Sequence, residues 1–327
     1  MGSREAQVIA QLRRMAVSPA ARGLRDDVAV LDSLAITHDS IAEGVHFLPG
    51  DPAASVGWKL VAVNLSDLAG KGAVPAGALL SFGLSDDDQW DSAFLRGVEH
   101  ACESYGLPLI GGDTFSLPPG GPRVFGLTAI GRAAGAVPER SGARDGDTLW
   151  LVGTIGDSAA GLAQLRGDPR ASGPLVDIYR RPIPQLGAGQ VLAPHVNAMM
   201  DVSDGLLLDA RRIAEASGRA ISIRLDDLPL SSAFVAERGQ DLQARLFAAT
   251  GGDDYALLAA LPADLDPATL SLPEGTRISR VGTIASGEPD LSLTWRGAPV
   301  ELPERLGFEH QGHRNQRISA PPMGDRA

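Results

Sequence analysis

Apolar positions along the chain alternate between short unbroken runs and longer stretches in which they recur at helical spacing, so strands and helices are predicted to follow one another. Residues 28–31 and 34–36 read as strands divided by an Asp32-Ser33 turn. In 55–71, Trp58, Val61, Leu65 and Leu68 recur three and four apart and predict a helix, with Asn64, Asp67 and Lys71 forming a polar edge beside the stripe. Strands are expected at 79–84 and 124–130, and a helix at 90–105 closed by Gly106. Residues 107–110 read as a short buried strand running straight into Gly111-Gly112-Asp113-Thr114. A second set follows: strand 148–152, helix 157–166, strand 198–202, helix 206–217 closed by Gly218, strand 221–225, a helix around 241–249, strand 256–260, and strands near 278–284 and 291–295. Between the sets, 131–147 is rich in Gly, Ala, Pro and charge without periodicity, which marks a domain boundary. The expected architecture is an α/β protein of the α+β type: two domains of mixed sheet with packed helices, 1–137 and 138–310. The last segment, 311–327, lacks apolar periodicity and is expected to be a mobile tail.

Composition narrows the functions open to such a chain. Its 327 residues exceed one ordinary domain and suit two of roughly 150. A hydrophobic content of 44% fills buried cores and argues against disorder. The net charge of −11 speaks against general nucleic-acid or anionic-membrane binding, which needs a basic patch. Cys102 is the only cysteine, which excludes an intramolecular disulfide and an all-cysteine metal cluster and suits a reducing, cytoplasmic compartment. The opening segment has neither a sustained apolar core nor a small-residue cleavage site, so no signal peptide is expected. No apolar stretch approaches the ~18 residues of a membrane span.

The candidate chemistry lies in the acids. Asp26-Asp27, Asp39, Asp67, Asp113, Asp201-Val202-Ser203-Asp204 and Asp253-Asp254 stand beside apolar runs in Gly-, Ser- or Thr-bearing segments. Each has an ordinary explanation. Asp26-Asp27 serves as turn residues, Lys71 can pair with Asp67 four positions away, and Asp204 can cap the helix that follows it. The stretch Gly153–Gly161 reads equally as an anion cradle at a helix start or as a helix capped by Asp157 or Ser158. Capping and turns do not explain why acids, rather than Asn or Ser, end nearly every strand. Carboxylates brought together repel one another unless hard divalent cations neutralise them, so the pattern points to a polymetal site that handles polyphosphate. There is no P-loop, no strand-linked G-x-G-x-x-G, no H-E-x-x-H and no EF-hand loop. His46 stands alone among apolar residues and by spacing is a structural histidine.

Taken in order, DDVAVL, THDSIAEGVHF, GWKLVAVNLSDLAGKGA, IGGDT, RSGARDGD, VGTIGDSAAGL, DVSDGL and GGDDYALL resemble the motifs of the thiamine-monophosphate kinase family, within the aminoimidazole-ribotide-synthetase-like superfamily of ATP-binding enzymes. The resemblance implies a homodimer in which ATP and several magnesium ions lie between N-terminal-domain sheets. It implies magnesium ligands at Asp27, Asp39, Asp67, Asp113, Asp201 and Asp204, with Thr37 and His38 near the metals. Nucleotide contacts are implied at Gly112, Asp113, Arg140 and Ser203, and substrate contacts at His46, Asp253 and Phe308. For His46 this replaces the structural reading.

The implied reaction moves the γ-phosphoryl of ATP onto thiamine monophosphate, giving thiamine diphosphate. No general base is implied, because a phosphate acceptor with a second pKa of about 6 is already ionised near neutrality. Three positions depart from the family pattern: Gly23-Leu24-Arg25 stands where Gly-Ile-Gly is usual, His38 replaces a small hydroxyl residue, and Asp253 replaces Glu. The alternatives are a sister ATP-dependent enzyme of the superfamily or a non-catalytic sensor of nucleotide or thiamine phosphate. Selenophosphate-synthetase and hydrogenase-maturation chemistry would need a terminal reactive cysteine, and Cys102 lies in a predicted helix.

Overall fold

The computed structural model describes residues 4–309; residue 310 and the segment 311–327 lie outside the described residues. The chain opens with α1 (Arg4–Arg13) and a 3-10 turn (Pro19–Leu24) capped by Ser18. It continues through β1 (Ala29–Leu31), β2 (Leu34–Ala42), α2 (Ala53–Gly70), β3 (Val74–Leu84), α3 (Asp88–Tyr105), β4 (Leu109–Ser116) and β5 (Val124–Arg132). These strands form a five-stranded sheet ordered β1-β2-β5-β3-β4, antiparallel except for the β3–β4 pair.

The second half runs β6 (Thr148–Val152), α4 (Asp157–Gly167), α5 (Pro174–Arg180), α6 (Leu186–Leu192), β7 (Ala198–Val202), α7 (Leu206–Ser217), β8 (Ala220–Arg224), α8 (Ser232–Arg238) and α9 (Leu242–Thr250). It ends with β9 (Ala256–Leu261), β10 (Ile278–Ala285), β11 (Asp290–Trp295) and β12 (Ala298–Val300). Its seven-stranded sheet is ordered β12-β11-β8-β10-β6-β9-β7, with only β8–β11 parallel. The mixed sheets with packed helices are those the sequence predicts. The elements not anticipated are short or poor in periodicity: α1, α5, α6, α8 and β12.

Helix α2 sits between the two halves. All of its residues are buried except Ala54, Trp58 and Asp67, which are half-buried. A helix apolar on nearly every side must be covered on nearly every side, and Leu60, Val61, Leu65 and Leu68 share one core with Leu127 of β5 and with Met199 and Leu257 of the second sheet. Helix α3, capped by Asp87 and closed by Gly106 in the left-handed conformation, crosses α2 at very short range. A β-carbon on Gly97 would stand 2.0 Å from the Ala54 carbonyl oxygen, so only glycine permits that crossing. At the far end, a β-carbon on Gly70 would come 2.9 Å from the Asp201 nitrogen. The end of α2 is thus pressed against the end of β7.

Strand register decides which side chains can meet. Paired residues share a face, so Asp39, Leu127, Leu80 and Gly112 form one row on the side covered by α2. Ser40, Gly126, Ser81 and Asp113 form the next row, on the opposite face. The short buried strand expected at 107–110 is instead β4, which begins at Leu109, runs to Ser116 and is exposed along its whole length. An apolar run ending in two glycines reads as buried, but β4 pairs only with β3 and forms the sheet edge. Leu79 and Phe115, on the face that carries Asp113, are also exposed.

A candidate active site at the junction of the two sheets

Asp27 precedes β1, Asp67 lies on the last turns of α2, and Asp201 is on β7. The fold brings one carboxylate oxygen of each within 4.8 Å of the others. Among the described residues neither Asp67 nor Asp201 forms an ion pair, although the charge of Arg140 reaches Asp201. Burial, then the charges of Asp39, Asp201 and Asp27, hold the Asp67 carboxyl well above the usual range, against a hydrogen bond donated by the Thr37 hydroxyl. Burial and the charge of Asp27 push Asp201 up to about 8, against a 2.8 Å bond donated by Ser66. Asp27 is different. Burial acts on it too, but the Lys71 ammonium at 2.5 Å and the Arg140 guanidinium hold its pKa below the ordinary value.

Lys71 therefore does not pair with Asp67, four residues before it. Its side chain, almost fully enclosed, reaches Asp26 at 2.6 Å as well as Asp27, and Arg22 holds the other oxygen of Asp26 at 2.5 Å. Thr37 and Asp39 project from the same face of β2 toward α2, and the Asp39 amide donates to the Asn64 side chain at 2.9 Å. His38 falls on the opposite face, bonded to Thr128 at 2.9 Å. The loop after β7 is fixed by Asp209, a residue the sequence reading passed over. Its fully buried carboxylate accepts from the amides of Ser203 and Asp204 at 3.1 and 3.2 Å and from Arg212 at 2.6 Å. Burial raises its pKa to about 6, with Arg212 opposing. Asp204 does not cap α7; it pairs with Arg212 at 2.7 Å.

A second constellation lies toward the start of α2. Lys59, 2% exposed, donates to the Asp253 carboxylate at 2.7 Å and to the His46 carbonyl at 2.9 Å, and stands 4.2 Å from the Tyr179 ring centre. The Tyr255 hydroxyl donates to the other oxygen of Asp253 at 3.0 Å. Asp253 and Tyr255 both have positive φ, +69° and +51°, and their amides dock on the carbonyls of Ser203 and Val202. Asp254 accepts from the amides of Gly156 and Ser158, so it takes the donors offered by the start of α4. Asp157 accepts instead from Ser231 and Thr154. Neither reading of the Gly153–Gly161 stretch, anion cradle or self-capped helix, anticipated a half-buried aspartate from another loop. Lys59 did leave a signal: it is a lone cation in the otherwise apolar run GWKLVAV.

Phe308 is exposed, and its amide donates to the Asp204 carbonyl at 2.9 Å, beside the loop after β7. Gly112 and Asp113 are not brought to the cluster. They lie on β4, three strand spacings from β2, roughly 14 Å. A β-carbon on Gly112 would meet the Leu80 carbonyl oxygen at 2.0 Å.

The three clustered acids, together with Asp39 and Thr37, are all hard oxygen donors, the set a magnesium-like cation prefers. The unrelieved repulsion at Asp67 and Asp201 is what such a cation would remove, so the residues present fit that ion.

Residues 25–133 match the AIR synthase related protein N-terminal domain family, and 144–293 match its C-terminal domain family. The thiamine-monophosphate kinase of Caulobacter vibrioides is 37% identical over 306 residues, spanning 89% of this chain and 86% of that protein. That of Salmonella typhimurium is 36% identical over 304 residues, spanning 88% and 91%. Among solved structures, AaThiL complexed with AMPPCP and TMP aligns with a TM-score of 0.79 at 30% identity, covering 92% of this chain and 96% of that one. With both halves matched in order and over nearly their full length, the chain belongs to the thiamine-monophosphate kinase family.

Proposed function

We propose that this protein transfers the γ-phosphoryl of ATP to thiamine monophosphate, forming thiamine diphosphate and ADP. The observation that carries this reading is the Asp27–Asp67–Asp201 cluster, in which Asp67 and Asp201 have no ion-pair partner among the described residues, in a chain whose relatives are kinases of that substrate. Asp27, Asp39, Asp67 and Asp201 would hold magnesium, with Thr37 and Asp204 beside them. Once bound, the cation supplies charge neutralisation to the phosphates. His38, on the opposite face of β2, is the weakest member of the expected set.

The chain's own residues would bind and align two anions. Arg140 already extends into the cluster on Asp27, and Ser203 lies on the loop fixed by Asp209. His46, Asp253 and Phe308 would receive the acceptor, whose cationic ring suits an exposed aromatic such as Phe308. No side chain need remove a proton, because the acceptor phosphate is ionised at neutral pH.

We further propose a homodimer in which Gly112 and Asp113 serve the site of the partner subunit. Their distance from the cluster within one chain supports this, and the exposed strand that carries them would then be covered. We assign the enzyme to the cytoplasm; among the described residues no helix is long and apolar enough to cross a membrane.

The test is product formation from ATP and thiamine monophosphate, with and without magnesium. Asp67→Asn and Asp113→Asn are each expected to lose turnover by orders of magnitude. Mixed together, the two variants are expected to regain up to roughly a quarter of wild-type activity, since each heterodimer keeps one intact shared site. Absence of magnesium-dependent product defeats the kinase reading. Product without complementation defeats the shared site.

A further inference from the structure

Among the described residues, one stripe of helix α1 and the groove between α3 and β4 are two exposed apolar surfaces. No residue of α1 is buried. Arg4, Val8 and Leu12 stand four apart on one stripe, with Val8 and Leu12 exposed and Met15 exposed just beyond. The groove has a volume of about 570 Å³ and is lined by Leu80, Leu95, Val98, Leu107 and Leu109, with Glu99 and Glu103 at its side. An apolar stripe carrying Arg4, and followed by Arg14, complements an apolar groove bordered by glutamates.

Within one chain these surfaces lie at opposite edges of the five-stranded sheet. Helix α1 leads through the Pro19–Leu24 turn to the β1 edge, and β4 bounds the groove four strand spacings away, about 19 Å. A second copy related by a two-fold axis parallel to the strands reverses the edge order. The β1 edge of each copy then lies beside the β4 edge of the other. The shared-site reading needs that same relation to bring Asp113 toward Asp27.

We propose that α1 of each subunit docks into the α3–β4 groove of its partner, an exchanged helix that fastens the dimer. This rests on the homodimer reading above. Val8 and Leu12 enter the groove, and Arg4 and Arg14 face Glu99 and Glu103.

The experiment uses the full chain with Cys102→Ser as background. Leu12→Cys and Glu99→Cys are prepared as separate chains, mixed to exchange subunits, and oxidised. The expected result is a disulfide-linked dimer from the mixture, absent when either variant is oxidised alone. When both cysteines are placed on one chain, covalent dimers are expected and an internal cross-link is not. A cross-link confined to a single chain overturns the proposal, as does no cross-link from a mixture that sediments as a dimer. A protein that sediments as a monomer defeats the homodimer reading and the docking with it. In a second measurement, Val8→Asp combined with Leu12→Asp is expected to weaken dimerisation at least tenfold, because both residues are exposed in the single chain and the fold does not need them. Unchanged dimerisation would overturn the docking alone.

Discussion

Asp26-Asp27 and the pair Asp67 and Asp201 occupy neighbouring sides of one buried site and are treated in opposite ways. The first two acids are held by Lys71, Arg22 and Arg140, and their charge is matched by side chains of the protein itself. Among the described residues the second two receive hydroxyl donors, from Thr37 and Ser66, and no ion pair, and each feels the negative charge of neighbouring carboxylates. A buried carboxylate needs a partner. Where the chain provides one, the acid is part of the fold's own electrostatics. Where it does not, the acid is the one proposed to receive a cation from solution.

That contrast predicts two substitutions of opposite sign. Lys71→Met leaves Asp26 and Asp27 short of their enclosed counter-ion, and removing one partner of a buried pair costs about 3–5 kcal/mol. Denaturant unfolding without magnesium is expected to show a loss of that size. Asp67→Asn removes a repelled charge, so the metal-free protein is expected to melt a few degrees higher. Turnover should meanwhile fall by orders of magnitude, and stabilisation by magnesium should shrink. If both variants shift stability in the same direction, the division of the site into matched and unmatched halves is wrong.

The same division sets a pH dependence. The carboxyl of Asp201 has its pKa raised from 3.8 to about 8, so its contribution to metal-free stability is present in full below 3.8 and is lost as pH rises through about 8. Between pH 6 and pH 9 the melting temperature of the metal-free protein is expected to fall. Magnesium prefers the ionised carboxylate, so the stabilisation it confers should grow over that interval. Asp201→Asn should flatten both trends. A wild-type magnesium effect independent of pH would count against Asp201 as a ligand.

How much of this could be read beforehand follows from the range of the signals. The main strands and helices announce themselves through local periodicity, and α2 and α7 fall within two residues of their expected bounds. The three clustered acids were also legible, because several acidic segments beside apolar runs are improbable without a shared purpose. Partnerships were not. Lys71 lies four residues from Asp67, yet it turns to Asp26 and Asp27 across 45 and 44 positions of sequence. Only the packed fold decides between a local pair and a distant one. Asp254 and Asp209 were likewise invisible as organisers, since the amides they bind belong to other loops or to turns whose shape the sequence did not specify. The edge status of β4 depends on sheet order, which no local window carries.

The end of the site that would receive the acceptor sharpens the comparison, because there Lys59 and Asp253 already pair with each other. Lys59 joins α2 to Asp253 of the second half and to the His46 carbonyl. Lys59→Met removes that tie, but Asp253 keeps its bond from Tyr255, and its side chain is 29% exposed, so water can replace the lost ammonium. The consequence should be mild for folding and specific for function: loss of position, not of the metal-binding charge. We expect KM for thiamine monophosphate to rise roughly tenfold, the equivalent of about 1.4 kcal/mol, while kcat and the KM for ATP change much less. Lys59→Arg should recover part of the acceptor affinity, since it restores a cation within reach of Asp253. A parallel rise in both KM values would mean that Lys59 supports the nucleotide end as well, and that the two ends are one coupled network. A collapse of kcat alone would move Lys59 from positioning the acceptor to stabilising the transferred phosphoryl, a role its burial beneath Asp253 argues against.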